Sequence, residues 1–137
     1  GINNDTKKSY KENEMKKLLS ALIAVLALTA CSEAEQTVVG KTYSLLPEKN
    51  ITLAFDAKEN RFYGKAVNNY FGEYKIEKNN ITLTLIGSTM MAAPEPEMKK
   101  EMEYFQNLGK IKTYTLSGKS LELNGDGVTL KYEEAKN

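Results

Sequence analysis

Most of the chain after Lys41 alternates between apolar and polar side chains, a pattern typical of β-strands that bury one face. The alternating positions on the apolar side are Ile51, Leu53 and Phe55; Tyr70, Gly72, Tyr74 and Ile76; Ile81, Leu83 and Leu85; Leu121 and Leu123; and Val128, Leu130 and Tyr132. Short segments rich in Asn, Gly, Pro and Lys separate these runs and have the chemistry of tight turns. The pattern therefore predicts about eight antiparallel strands joined mainly as hairpins.

One segment departs from this alternation, at "PEPEMKKEMEYFQNL". Its apolar side chains recur near the helical period, with Glu101 and Tyr104 beside the stripe, at Met98, Met102, Phe105 and Leu108. Pro96 suits a first helical turn and Gly109 suits a C-terminal cap. We predict a helix over about 95–108 that packs its methionine stripe on the sheet. The fold class is then α+β and mostly antiparallel β: a small, strongly curled, barrel-like sheet covered by one helix.

A different pattern occupies residues 15–30, where Met15 and two lysines precede the apolar run Leu18–Leu28. The run is apolar on all sides, which argues against an ordinary amphipathic helix, and it is shorter than the roughly 20 residues that a membrane span requires. A short positive region followed by such a run is typical of a secretory signal peptide.

The run ends in Leu28-Thr29-Ala30-Cys31, which resembles the lipobox of bacterial lipoproteins. The resemblance implies cleavage between Ala30 and Cys31 and attachment of lipid to Cys31, the chain's single cysteine. A free reactive thiol is the alternative, but Glu33 and Glu35 nearby oppose thiolate formation. Ser32 after the cysteine resembles the sorting pattern of the Gram-negative outer membrane, facing the periplasm.

These patterns divide the chain into four segments. Residues 1–14 are polar and precede the expected start, so we predict disorder or sequence upstream of the native start. Residues 15–30 are the signal peptide, 31–39 a polar tether, and 40–134 the globular domain.

Composition narrows the function further. The chain has 19 basic and 18 acidic residues, so it has no excess of positive charge to bind a phosphate backbone. It also lacks histidine, which is the commonest general base and the commonest metal ligand in proteins. One cysteine excludes an internal disulfide and a cysteine-rich metal site. We expect no nucleic acid partner, no cofactor and no metal.

Two motifs resemble the META domain, the family of the bacterial heat-shock protein HslJ. "GKAVNNYFGEY" resembles its Gly-Cys-Asn-x-Tyr/Phe-x-Gly-x-Tyr pattern, and "GSTMMAAPEPEMKKEMEYFQNLGKIKTY" resembles its Ser-Thr-x-Met-Ala motif followed by a helix with an inward Glu. The matching positions are Asn68, Tyr70, Gly72, Tyr74, Ser88, Thr89, Met91 and Glu101. Val67 and Ala93 stand where many members have cysteines, which rules out the thiol chemistry of those relatives. The resemblance implies a small barrel-like fold, a link to heat and novobiocin stress, and no established reaction.

The motif residues also have structural interpretations. Asn68 and Asn69 suit a left-handed turn or a bond to their own main chain, and Gly72 suits a bulge or close packing. Ser88 and Thr89 can satisfy backbone groups where the chain leaves the sheet.

We therefore expect a non-catalytic, monomeric, lipid-anchored envelope protein that maintains the envelope under stress or binds an envelope partner. The alternative is a small barrel that acts as a carrier or chaperone for an apolar ligand or for another lipoprotein. The apolar side chains, however, suffice to fill so small a core. An enzyme would depend on a carboxylate pair chosen from Glu73, Glu97, Glu101 and Glu103. A tyrosine surface at Tyr63, Tyr70 and Phe71 is a weaker possibility.

Overall fold

The computed structural model describes residues 37–136, and these form a closed barrel of eight antiparallel strands with one helix. The elements in chain order are β1 Thr42–Leu45, β2 Thr52–Phe55, β3 Arg61–Lys65, β4 Asn69–Glu77, β5 Asn80–Ser88, α1 Glu95–Lys110, β6 Ile111–Ser117, β7 Ser120–Gly125 and β8 Val128–Glu134. The predicted fold class, strand number and helix are confirmed. The predicted signal peptide, lipobox and most of the tether lie outside the described residues.

The strands follow one another around the barrel, and β8 closes it by pairing with β1. Pairing is weakest between β5 and β6, where the register matches only Asn80 with Thr113. We call this junction the seam. It falls where α1 interrupts the series of hairpins, so the two strands are brought together without a tight turn between them.

The two ends of the barrel differ. At one end, which we call the entry end, the chain arrives at β1 with Val38 buried and Gly40 donating its N–H to the Phe55 carbonyl at the close of β2. At the other end, the helix end, lie the start of β2 at Thr52 and the start of β4 at Asn69. Side chains of α1 reach this second end, so the helix and the incoming chain occupy opposite ends.

Inward-facing side chains fill the barrel. The largest fully buried ones are Tyr43, Tyr70, Tyr132, Phe55, Phe62, Leu53, Ile81, Leu108, Leu121, Leu123 and Val38. Edge-to-face packing of Phe55 on Tyr74, with ring centroids 5.1 Å apart, is typical of such aromatic cores. The barrel is therefore a packed core rather than a container.

The helix buries only part of the predicted stripe: Leu108 is buried as predicted, and Glu101 lies inward as the family resemblance implies. Its buried residues are Glu101, Tyr104 and Leu108, whereas Met102 is 61% exposed. The prediction that Met102 fills the core is wrong, because the hydrogen bonds that Glu101 and Tyr104 find on the barrel outweigh the hydropathy of the methionines. The helix also continues through Gly109 to Lys110, with Ile111 as its C-terminal cap, so Gly109 is not the cap.

Candidate functional site

A buried cluster of polar groups joins three chain segments at the helix end of the barrel. We call Asn68, Thr89, Met91 and Glu101 the Asn68 hub. Asn68 donates its backbone N–H to Glu101 Oε2 at 2.6 Å and its Nδ2–H to Glu101 Oε1 at 2.9 Å. Its Oδ1 accepts from the Thr89 hydroxyl at 2.9 Å and from the Met91 backbone N–H. One side chain therefore ties the β3–β4 connection to α1 and to the β5–α1 loop.

Glu101 is the buried carboxylate of this hub. It is only 6% exposed, and no lysine or arginine among residues 37–136 forms an ion pair with it. Both of its oxygens accept from Asn68 instead, which offsets part of the cost of burying the group. The carboxylate therefore holds α1 on the barrel.

Asn68 does not have the predicted turn geometry. In the described part of the chain, the non-glycine residues with positive φ are Lys49 and Lys78. Asn68 instead makes contacts with residues at least 21 positions away along the chain. The left-handed turn prediction for Asn68 and Asn69 is wrong, because long-range partners satisfy the Asn68 amide.

Thr89 follows the last residue of β5 and hydrogen-bonds to Asn69 where the chain leaves the sheet. Its Oγ1 accepts the Asn69 N–H at 3.1 Å, and its own N–H is donated to the Asn69 carbonyl at 2.9 Å. Ser88 lies opposite Tyr70 in the register of β4 and β5. The two strands thus stay paired up to the hub.

A chain of three tyrosine hydroxyls crosses the barrel beside the hub. Tyr70 donates to the Thr52 carbonyl, and its oxygen lies 2.8 Å from that of Tyr104, which lies 2.9 Å from that of Tyr132. A carbonyl only accepts, so the donors run from Tyr132 through Tyr104 to Tyr70. Burial raises the pKa of all three tyrosines well above the ordinary value of 10.0. These hydroxyls therefore work as neutral hydrogen-bonding groups.

This burial predicts alkaline unfolding. The unfolded chain releases these phenolic protons near pH 10, whereas the folded chain retains them, so stability is full below pH 10 and falls as the pH rises above it. We expect tyrosinate absorbance from Tyr70, Tyr104 and Tyr132 to appear together with the loss of circular dichroism. A substitution of Tyr104 by Phe should reduce the tyrosinate absorbance that appears with unfolding. Ionisation of all tyrosines before any loss of structure would contradict the burial.

The other motif residues support the barrel wall. Gly72 lies at a register shift of β4 against β5, and a Cβ built on it would lie 2.1 Å from the Thr84 carbonyl oxygen and 2.4 Å from the Phe62 ring. Both predicted roles of Gly72, a bulge and a close approach, are therefore present. Tyr74 is buried against Phe55 and reaches the Asp56 carbonyl at 3.5 Å.

Outside the hub lies an open groove of about 730 Å³ between the β5–α1 loop and the helix. The chain has five methionines, and four of them line this groove: Met90, Met91, Met98 and Met102. Phe105 and Ala92 extend its apolar wall. We call it the methionine groove, and the Asn68 hub forms its floor through Asn68, Thr89 and Glu101.

The structure thus brings four of the predicted residues into one hub, Asn68, Thr89, Met91 and Glu101, and places Tyr70 beside it. It puts Gly72 and Tyr74 in the barrel wall. Ala30 and Cys31 lie outside the described residues. The sequence argument did not identify Tyr104 and Tyr132 as partners of Tyr70, although Tyr104 lies three residues after Glu101 and four before Leu108, on one helical face.

The carboxylates suggested for an enzyme have different environments. Glu101 is engaged by Asn68, while Glu73, Glu97 and Glu103 are exposed. In the stretch from Thr37 to Lys136, no group of three or more carboxylate, imidazole or thiol side chains is placed to hold a metal ion. The tyrosine surface is also divided, because Tyr63 and Phe71 are half-exposed but Tyr70 is buried.

Residues 37–136 contain no helix with the length and hydropathy needed to span a bilayer.

Solved structures support the fold assignment. An NMR structure of a protein from Burkholderia xenovorans is 20% identical, with a TM-score of 0.63 over 73% of this chain and 85% of its own. The crystal structure of a DUF4847 family protein from Bacteroides vulgatus is 15% identical, with a TM-score of 0.53 over 64% of this chain and 61% of its own. At these identities the likeness concerns the fold alone. A search of curated proteins finds no significant match.

The sequence itself identifies the family. A sequence model of the META domain matches residues 27–137, a span that contains both motifs and every strand of the barrel. The Asn68 hub and the Tyr70 hydroxyl chain give those motifs a structural basis within this fold. The chain belongs to the META domain family.

Proposed function

We propose that this protein is a non-catalytic META domain lipoprotein of the bacterial cell envelope, anchored through Cys31 and active in envelope maintenance or partner binding under stress. The observation that carries the proposal is the Leu28-Thr29-Ala30-Cys31 motif, which lies at the end of an apolar run and precedes the barrel strands of a META domain protein. A bacterial lipoprotein carries more than one acyl chain, and stable anchoring requires more than one lipid signal.

The chemistry of the hub supports a non-catalytic role. Glu101, the one buried carboxylate among residues 37–136, has both oxygens occupied by Asn68, and the buried hydroxyls of Tyr70, Tyr104 and Tyr132 bond to one another. A general acid or base needs a free position toward its substrate. Histidine, the usual base, does not occur in the sequence. These groups serve instead to fix the helix and the loop around the methionine groove.

Mass spectrometry of protein expressed from Met15 and recovered from the membranes of a bacterial host tests the anchor. We expect a species that begins at Cys31 and is heavier than its polypeptide by diacylglyceryl and acyl groups. The Cys31→Ser variant is the matched control and should keep its leader and gain no lipid. An unmodified parent species that retains Lys16 and Lys17 would overturn the proposal. Fractionation of the lipidated species would then test the outer-membrane location that Ser32 suggests.

A carrier for an apolar ligand is the second candidate. The packed barrel interior does not favour it, but the methionine groove offers an apolar surface outside the barrel. A fluorescent lipid probe that is displaced by natural phospholipid would support this function. Absence of probe binding at any accessible protein concentration would dispose of it.

A further inference from the structure

The methionine side chains of the methionine groove are not used to fill the core. Met90, Met91 and Met102 are 94%, 47% and 61% exposed, and Met98 is half-buried. Methionine in a small domain is ordinarily explained as an adaptable filler of gaps in the core. That explanation does not account for these side chains, which gather in one groove and face solvent.

Three of the methionines line the groove from two directions. Met98 and Met102 are four residues apart in α1, so both lie on one face of the helix with their Cβ atoms about 5–6 Å apart. Met91 comes from the loop, where its N–H is donated to Asn68 Oδ1, and the amide of Asn68 reaches Glu101 at 2.9 Å. Glu101 lies three residues after Met98 and directly before Met102. One asparagine side chain therefore bridges the loop at Met91 and the part of the helix that carries the other two methionines.

The Asn68 hub holds this arrangement in place. Asn68 accepts from Met91 and from the Thr89 hydroxyl, and it donates to both oxygens of Glu101. Since the loop and the helix are already fixed, a ligand that binds between them avoids most of the ordering cost that a mobile loop would incur.

Thioether sulfur restricts the class of ligand that this groove suits. Soft sulfur ligands select Cu(I), whereas carboxylate and carbonyl oxygens suit Mg²⁺, Ca²⁺ and Mn²⁺. Zn²⁺ is bound in proteins by thiolate, imidazole and carboxylate groups rather than by thioethers. The absence of histidine and the single cysteine exclude the nitrogen and thiolate sites, but they leave a thioether site open.

The other groups of the groove do not favour a hard cation. Its carboxylates are Glu95 and Glu101, and Asn68 occupies both oxygens of Glu101. The positively charged Lys99 also lines the groove, and it opposes a divalent ion more strongly than a monovalent one. The remaining wall is apolar and includes the Phe105 ring.

We propose that the methionine groove binds one Cu(I) ion through the sulfur atoms of Met91, Met98 and Met102. Each sulfur donates a lone pair to the ion, and no proton is released because a thioether carries none. The ion stays Cu(I), so no oxidant or reductant takes part. Binding here does not depend on lipid at Cys31, since all three ligands lie among residues 37–136.

The test is a titration of the full chain carrying Cys31→Ser, in detergent and chloride-free buffer, first with Ag(I) and then with Cu(I) in the absence of oxygen. Ag(I) is a redox-inert analogue of Cu(I), and the substitution removes the only thiol that would bind either ion. We expect saturation at one ion per chain and shifts of the ¹³C-methyl signals of Met91, Met98 and Met102. Zn²⁺ should cause no such shifts. The affinity should be the same at about pH 5 and about pH 8, because thioether ligands lose no proton on binding.

Leucine variants separate a need for sulfur from a need for apolar surface. Met98→Leu and Met102→Leu conserve apolar volume. Each should weaken Ag(I) binding at least about tenfold, because each removes a ligand of the ion. Met90→Leu is the matched control, because the 94% exposure of Met90 leaves its sulfur in solvent, and it should bind as the parent does. Circular dichroism of every variant should match that of the parent, so that weaker binding reports a lost ligand.

Three results would overturn the site. Parent affinity no higher than that of N-acetylmethionine amide for Ag(I) would show that the thioethers bind ions singly and without a shared site. A double variant M98L/M102L that binds Ag(I) as tightly as the parent would show that these sulfur atoms are not ligands. An effect of Met90→Leu equal to that of Met98→Leu would show that binding follows the number of methionines and not their place in the groove.

Discussion

The Asn68→Ala variant should lose about 3 kcal/mol of unfolding free energy, a large part of the 5–15 kcal/mol typical of a domain. The substitution leaves the buried Glu101 Oε1 without a donor and removes the acceptor of the Met91 N–H and the Thr89 hydroxyl. Unsatisfied buried polar groups cost more than the hydrogen bonds themselves contribute. Chemical denaturation measures the loss, and the melting temperature should fall by roughly 10–20 °C.

The neighbouring asparagine provides a matched control. Asn69 is exposed and uses only its backbone groups in the hydrogen bonds described above, so Asn69→Ala should change stability by less than about 0.5 kcal/mol. A double-mutant cycle of Asn68→Ala with Glu101→Ala should give a coupling of at least about 1 kcal/mol, because the two residues share their bonds. Equal effects of Asn68→Ala and Asn69→Ala would show that the hub does not stabilise the domain.

Opposite effects are expected for alanine at two glycines. Gly72→Ala should destabilise the barrel by about 3 kcal/mol, because the new Cβ would lie 2.1 Å from the Thr84 carbonyl oxygen and backbone must move. Gly109→Ala should stabilise it by about 0.5–1 kcal/mol, because Gly109 lies inside α1 with nothing within 4 Å of the added methyl group.

Urea denaturation of both variants in the same buffer checks this pair. The unfolding slope should remain that of the parent, so that the midpoints report stability directly. A Gly72→Ala protein with the parent's midpoint would show that β4 and β5 can separate without cost at the bulge. A destabilised Gly109→Ala protein would contradict the helical conformation at that residue.

The strands could be predicted because apolar and polar residues alternate along each of them, according to which face of the sheet is buried. Tyr70, Tyr74, Leu83 and Leu130 are buried as that pattern requires. The turns lie where Asn, Gly and Lys interrupt it, including positive φ at Lys78. Local chemistry was sufficient here because hairpins join neighbours in sequence.

The buried face of α1 could not be predicted by the same argument. Hydropathy favoured Met98 and Met102, but the buried face carries Glu101 and Tyr104. Their partners, Asn68 and Tyr70, lie 33 and 34 positions away, and no local pattern records such a bond. The same reliance on hydropathy placed Met102 in the core, whereas it is exposed and lines the methionine groove.

The pairing of β8 with β1 has a consequence for how the gene could be rearranged. Ala135 donates its N–H to the Thr42 carbonyl, so the last described strand runs beside the first. A circularly permuted protein, with Lys136 linked to Thr37 and new ends cut between Ser88 and Glu95, would keep every strand neighbour and free the loop that borders the groove. The order of these strands around the barrel, rather than their order of synthesis, defines the domain.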